Sequence, residues 1–129
     1  MRTAFLDTSV LAAIALGEHS APAARKRLAA FDRLNATLLL EAELYALLHR
    51  EGTPAEQRVG PWLAGIEWVY PDRSLRPEIE AVLDAGYVRG ADCWHLATAL
   101  FLAPKPADIS FLTLDARQGE VARTLGFGR

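Results

Sequence analysis

Two short apolar runs, Thr3–Leu6 and Ile109–Leu114, each stop at an aspartate, Asp7 and Asp115, and neither alternates strictly between apolar and polar residues. Strands that read as apolar on both faces belong to parallel sheets covered by helices on both sides. The chain between them supplies those helices. Val10–Leu16 is apolar and Ala-rich up to Gly17, and 21–34 has Leu28, Phe31 and Leu34 on one face and Arg25, Lys26 and Arg27 on the other. Glu41–Glu51 carries Leu44, Leu47 and Leu48 at helical spacing, followed by a helix over Pro54–Ile66 and another over Leu75–Ala85 with Ile79, Val82 and Leu83. Arg89-Gly90-Ala91 leads into Asp92 and a helical run, Leu96–Leu102, broken by Pro104 and Pro106. Ala116–Leu125 is the last helix, closed by Gly126 as a C-cap. Further short strands are expected at Thr37–Leu40 and Glu67–Tyr70, making four in all. The fold class expected is α/β: a three-layer α/β/α sandwich around a short central parallel sheet, in one domain over residues 1–129.

Composition narrows the setting. The 14 Lys+Arg against 16 Asp+Glu leave a net charge of −2, which provides no overall field for nucleic acid. A lone cysteine, Cys93, cannot form an internal disulfide, so a reducing, cytoplasmic setting is expected. Asp7 comes too early for the apolar stretch of a signal peptide, and no apolar run approaches the roughly 20 residues of a membrane span.

In parallel α/β sheets the ligand site lies beyond the carboxyl ends of the strands, where Asp7 and Asp115 should emerge together. Glu43 and Asp92 lie at or near helix starts, which face the same edge. Taken singly, Asp7 and Asp92 are more often helix caps than ligands, and Glu43 and Glu41 are ordinary solvated helix residues. The joint pattern outweighs these readings. Four carboxylates facing one pocket would repel one another unless a cation shared it, and an all-oxygen set favours Mg²⁺ or Mn²⁺.

The segments Phe5-Leu6-Asp7-Thr8-Ser9-Val10-Leu11, Thr37-Leu38-Leu39-Leu40-Glu41-Ala42-Glu43-Leu44, Ala91-Asp92-Cys93-Trp94-His95-Leu96-Ala97-Thr98-Ala99-Leu100 and Phe111-Leu112-Thr113-Leu114-Asp115 resemble, in order, the four signature segments of PIN-domain ribonucleases. The similarity is greatest to the VapC-like toxins of toxin–antitoxin pairs, and Ala122–Phe127 is also similar. The resemblance implies a metal-dependent endoribonuclease, with Asp7, Glu43, Asp92 and Asp115 as the catalytic quartet holding Mg²⁺ or Mn²⁺ and Glu41 as the fallback for Glu43. It implies Thr8, Ser9 and Thr113 as hydroxyl residues orienting ligands or water, and RNA ends left as 3′-hydroxyl and 5′-phosphate. It also implies a small antitoxin partner that places a basic side chain in the acidic pocket.

Several features are read directly from the residues. His95 is expected to be packed or hydrogen-bonded rather than a metal ligand, because a hard-metal site does not need it. Candidate phosphate contacts are Arg25, Lys26, Arg27, Arg50 and Arg89. A homodimer through helices 54–66 and 75–85 is expected from the Ala- and Leu-rich surface. Three departures from the family pattern stand out: Arg117 where some relatives have another acid, a bulky Trp94, and a chain ending at Arg129. Competing readings are a stand-alone PIN nuclease without an antitoxin, a haloacid-dehalogenase-type phosphotransferase, and a catalytically silent binding module. The phosphotransferase reading lacks a second Asp two residues after Asp7, where Ser9 stands.

Overall fold

The computed structural model describes residues 1–129, apart from the side chains of residues 55–57. Strands β1 (Thr3–Leu6), β2 (Arg33–Thr37), β3 (Ile66–Val69) and β4 (Ser110–Leu112) form one sheet of order β3-β2-β1-β4 with every pairing parallel. Phe5 lies opposite Phe111 and Leu6 opposite Leu112, so Asp7 and Thr113 leave the sheet side by side.

Successive strand residues point to opposite faces, and this divides the core. Ala4, Leu6, Ala36 and Leu112 pack against α1 (Thr8–Leu16), α2 (Ala21–Ala29), α3 (Leu38–Glu51) and α4 (Ala55–Ala64). Phe5, Val69 and Phe111 pack against α5 (Arg76–Ala85), α6 (Gly90–Leu102) and α7 (Ala116–Leu125) on the other side. The Phe5 and Phe111 rings stack with centroids 5.9 Å apart. The result is an α/β/α sandwich with a four-stranded all-parallel sheet.

The structure corrects the middle of the chain. The strand expected at Thr37–Leu40 is the start of α3, and β2 lies upstream at Arg33–Thr37. The Thr37 hydroxyl accepts from the Leu39 N–H at 3.0 Å, so the three leucines that follow begin a helix. β2 escapes notice because its sequence, Arg-Leu-Asn-Ala-Thr, looks polar. Its buried Asn35 is satisfied across the sheet by the Glu67 carbonyl at 3.2 Å. The helix expected over 21–34 therefore stops at Ala29, and Leu34 belongs to the sheet. Smaller shifts occur at β3, α4, β4 and at α6, which begins at Gly90. Gly126 does close α7, with φ of 102° and its N–H on the Ala122 and Arg123 carbonyls. Among the described residues no helix is long and apolar enough to cross a membrane.

Candidate active site

The site starts from two helix caps. Asp7, just past β1, accepts from the Ser9 N–H through Oδ2 at 3.0 Å and so caps α1. Asp115, just past β4, accepts from the Gln118 N–H through Oδ1 at 2.7 Å and caps α7. In both cases one oxygen secures the helix, and the carboxylate is held at the carboxyl edge of the sheet. Asp92 does not cap: Arg89 is the N-cap of α6, and Asp92 lies in its first turn.

Glu43 arrives differently from the sequence expectation. α3 begins at Leu38, so Glu43 is in its second turn rather than at its start. Its Oε1 accepts from the Thr8 hydroxyl at 2.8 Å and meets His95 Nε2 at 2.7 Å. Glu41 is exposed and makes none of these contacts. His95 is fully buried, with Nε2 3.8 Å from Asp7 Oδ1 as well. Its Nδ1 is buried without a partner among the described residues, and Nε2 is the ring nitrogen placed to donate to Glu43. His95 lies three residues after Asp92 on α6, and the same helix face thus carries both.

Hydroxyl groups tie the two strand ends together. Ser9 Oγ accepts from the Leu114 N–H at 3.0 Å and lies 3.4 Å from Thr113 Oγ1. Thr113 Oγ1 accepts from the Asp115 N–H at 3.0 Å and donates to Gln118 Oε1 at 2.7 Å. Gln118 is the residue that sequence reasoning missed. It is fully buried, and its Nε2 donates to Asp7 Oδ1 at 3.2 Å and to the Asp92 carbonyl at 3.3 Å. A signal existed: Gln118 shares the buried face of α7 with Val121 and Ala122, and a polar residue at a core position needs partners.

Electrostatics show that the acids sense one another. Burial pushes the Asp92 carboxyl above its ordinary value, and the charges of Asp7, Asp115 and Glu43 push it further, partly opposed by His95. The Asp92 carboxylate, Glu43 Oε2 and Asp115 Oδ2 accept no side-chain or backbone hydrogen bond from the described residues. Those oxygens are free for a cation, and Asp7 Oδ1, which among the described residues accepts from Gln118 alone, keeps a lone pair for one. Among the described residues no three His, Cys, Asp or Glu side chains are set to enclose an ion by themselves. Mg²⁺ keeps several waters and binds through one or two carboxylates, so an open all-oxygen set that repels itself fits such an ion.

The basic candidates disperse. Arg25 and Lys26 are exposed on α2, the Arg27 guanidinium lies over the Phe31 ring at 5.2 Å, and Arg50 pairs with Glu51 at 3.3 Å. Arg89 shares a cleft with Asp92 and Asp115.

The model of the family described as PIN domain matches residues 4–124. A stretch of 48 residues is 46% identical to the zinc finger CCCH domain-containing protein 43 of Oryza sativa subsp. japonica. That match covers 37% of this chain and 7% of the rice protein, too small a share to carry the description over. With a family match over nearly its whole length, the chain belongs to the PIN domain family, whose members are generally Mg²⁺- or Mn²⁺-dependent nucleases and hence hydrolases.

Proposed function

We propose that the protein is a metal-dependent endoribonuclease acting through Asp7, Glu43, Asp92 and Asp115, and that it is the toxin of a toxin–antitoxin pair. The observation that carries the nuclease reading is one network of contacts in which Gln118 bonds to Asp7, Asp115 and the Asp92 carbonyl while His95 meets both Asp7 and Glu43. Crowded carboxylates are costly to a fold, and a divalent cation offsets that cost.

In this reading Asp7, Glu43, Asp92 and Asp115 are the residues that would hold a divalent cation, which when bound would supply an activated water and a Lewis acid for the phosphate oxygens. The protein's own groups supply position. Thr8 and His95 both engage Glu43 Oε1, which fixes the side chain and leaves Oε2 without a hydrogen bond from the described residues. Gln118 and the Ser9 N–H take one oxygen each of Asp7, so its orientation is set before substrate arrives. Thr113 positions Gln118 rather than meeting the substrate. RNA is then cut to leave 3′-hydroxyl and 5′-phosphate ends.

The toxin role rests on the resemblance of the four segments together with the acidity of the pocket. A guanidinium from a small partner chain would be bound strongly by the same carboxylates and would exclude both cation and RNA. Self-association through α5, where Leu83 is exposed, completes the proposal.

The test is purified protein on end-labelled RNA with Mg²⁺ or Mn²⁺, beside EDTA and Asp7→Asn. Internal cleavage lost in both controls is expected; undiminished cleavage in either overturns the nuclease reading. Normal growth on expression of the intact chain overturns the toxin role alone.

A further inference from the structure

We propose that Tyr87, Arg89 and Arg117 form a nucleotide subsite for single-stranded RNA beside the carboxylates. In it the guanidinium groups take a backbone phosphate and the Tyr87 ring stacks on the neighbouring base. The proposal rests on the endoribonuclease reading and names the substrate contacts of that site.

A cleft of about 370 Å³ is lined by Tyr87, Val88, Arg89, Asp92, Asp115 and Arg117. Two acids of the quartet and two arginines therefore line one space, yet no ion pair joins Arg89 or Arg117 to Asp92 or Asp115 among the described residues, and Arg117 pairs with Glu120 instead. Arg117 is held elsewhere. Its Nε donates to the Tyr87 carbonyl at 3.1 Å and its Nη1 to Glu120 at 3.3 Å, leaving Nη2 without a hydrogen-bond partner among the described residues. A cation fixed beside acids but not neutralising them is placed for an anion that spans both. A phosphodiester chain is such a ligand, with one phosphate at the carboxylates and their cation and the next at the arginines.

The segment carrying Tyr87 is built onto α7. A Cβ at Gly86 would lie 2.9 Å from Val121 Cγ2 and 3.1 Å from Arg117 Nη2, so only glycine permits this approach without displacement. Val88 is buried next to it, while Tyr87 is 73% exposed. The neighbour is anchored and the ring is left uncovered, which suits stacking on a base, a contact tolerant of base identity. A single-stranded substrate follows, because only an unpaired base offers a free face.

The experiment measures steady-state cleavage of a short oligoribonucleotide with Mn²⁺. Arg117→Ala and Tyr87→Ala are each expected to raise KM about tenfold with kcat within about twofold. Tyr87→Phe restores KM because the ring remains. Arg117→Ala also lowers the slope of log affinity against log salt by about 0.7, one phosphate contact on a single strand. An oligonucleotide abasic beside the cut site should make Tyr87→Ala indistinguishable from the parent. Arg76→Ala, an exposed arginine paired with Glu80, is the surface control. An unchanged KM, an undiminished Tyr87→Ala effect on the abasic strand, or equally effective competition by an acidic peptide overturns the subsite. Absence of all RNA cleavage sinks the nuclease reading instead; anisotropy of the labelled strand then still decides whether these residues bind it.

Discussion

The Gln118 side-chain amide donates to Asp7 Oδ1 at 3.2 Å from within α7, joining the end of β1 to a helix 111 residues further along the chain. The same side chain accepts from Thr113, and its backbone N–H binds Asp115. One neutral residue thus orients two acids from different strands without adding charge to them.

Gln118→Leu should keep the volume and remove the bonds. Leaving the buried Asp7 Oδ1 without its donor, and the half-buried Thr113 hydroxyl without its acceptor, costs about 1–3 kcal/mol. We expect a lower denaturation midpoint and weaker Mn²⁺ binding in calorimetry. Gln118→Glu should be worse on both counts, since it places a further carboxylate against Asp7.

Asp92→Asn separates stability from function. Burial and the neighbouring acids raise the Asp92 carboxyl above its ordinary 3.8, so the native state holds that proton more tightly than the unfolded chain. Metal-free protein therefore loses stability as pH rises from 3.8 through the raised value. Thermal melts in EDTA should show that decline in the parent and a flatter profile, with a higher midpoint at neutral pH, in Asp92→Asn. Its cleavage activity should be lost.

Divalent cation should stabilise the parent by mass action, by about 2.7 kcal/mol at a concentration of 100 Kd. Melting with Mn²⁺ and with EDTA measures this directly. Asp7→Asn should reduce the Mn²⁺-induced shift, and no shift in the parent would contradict the metal assignment.

Glu43→Gln and Glu41→Gln should behave oppositely. The first removes an acid held by Thr8 and His95 and should lower kcat by about two orders of magnitude or more. The second alters an exposed side chain and should leave cleavage within about twofold. Equal effects would move the role to Glu41.

The end of β1 with Asp7 just beyond it, the presence of a strand before Asp115, and the C-cap of α7 at Gly126 were legible in the sequence because each depends on residues within a few positions, whereas β4 is shorter than its apolar run, ending at Leu112. Apolar runs, short acids that cap helices and a left-handed glycine are local signals. β2 was not legible, because Asn35 is acceptable in a buried strand only once Glu67 lies opposite it. The contact between Glu43 and His95, 52 residues apart, and the span from Gln118 to Asp7 were likewise decided by tertiary structure. A buried polar group needs a partner, and only the packed sheet and its helices determine which distant residue supplies it.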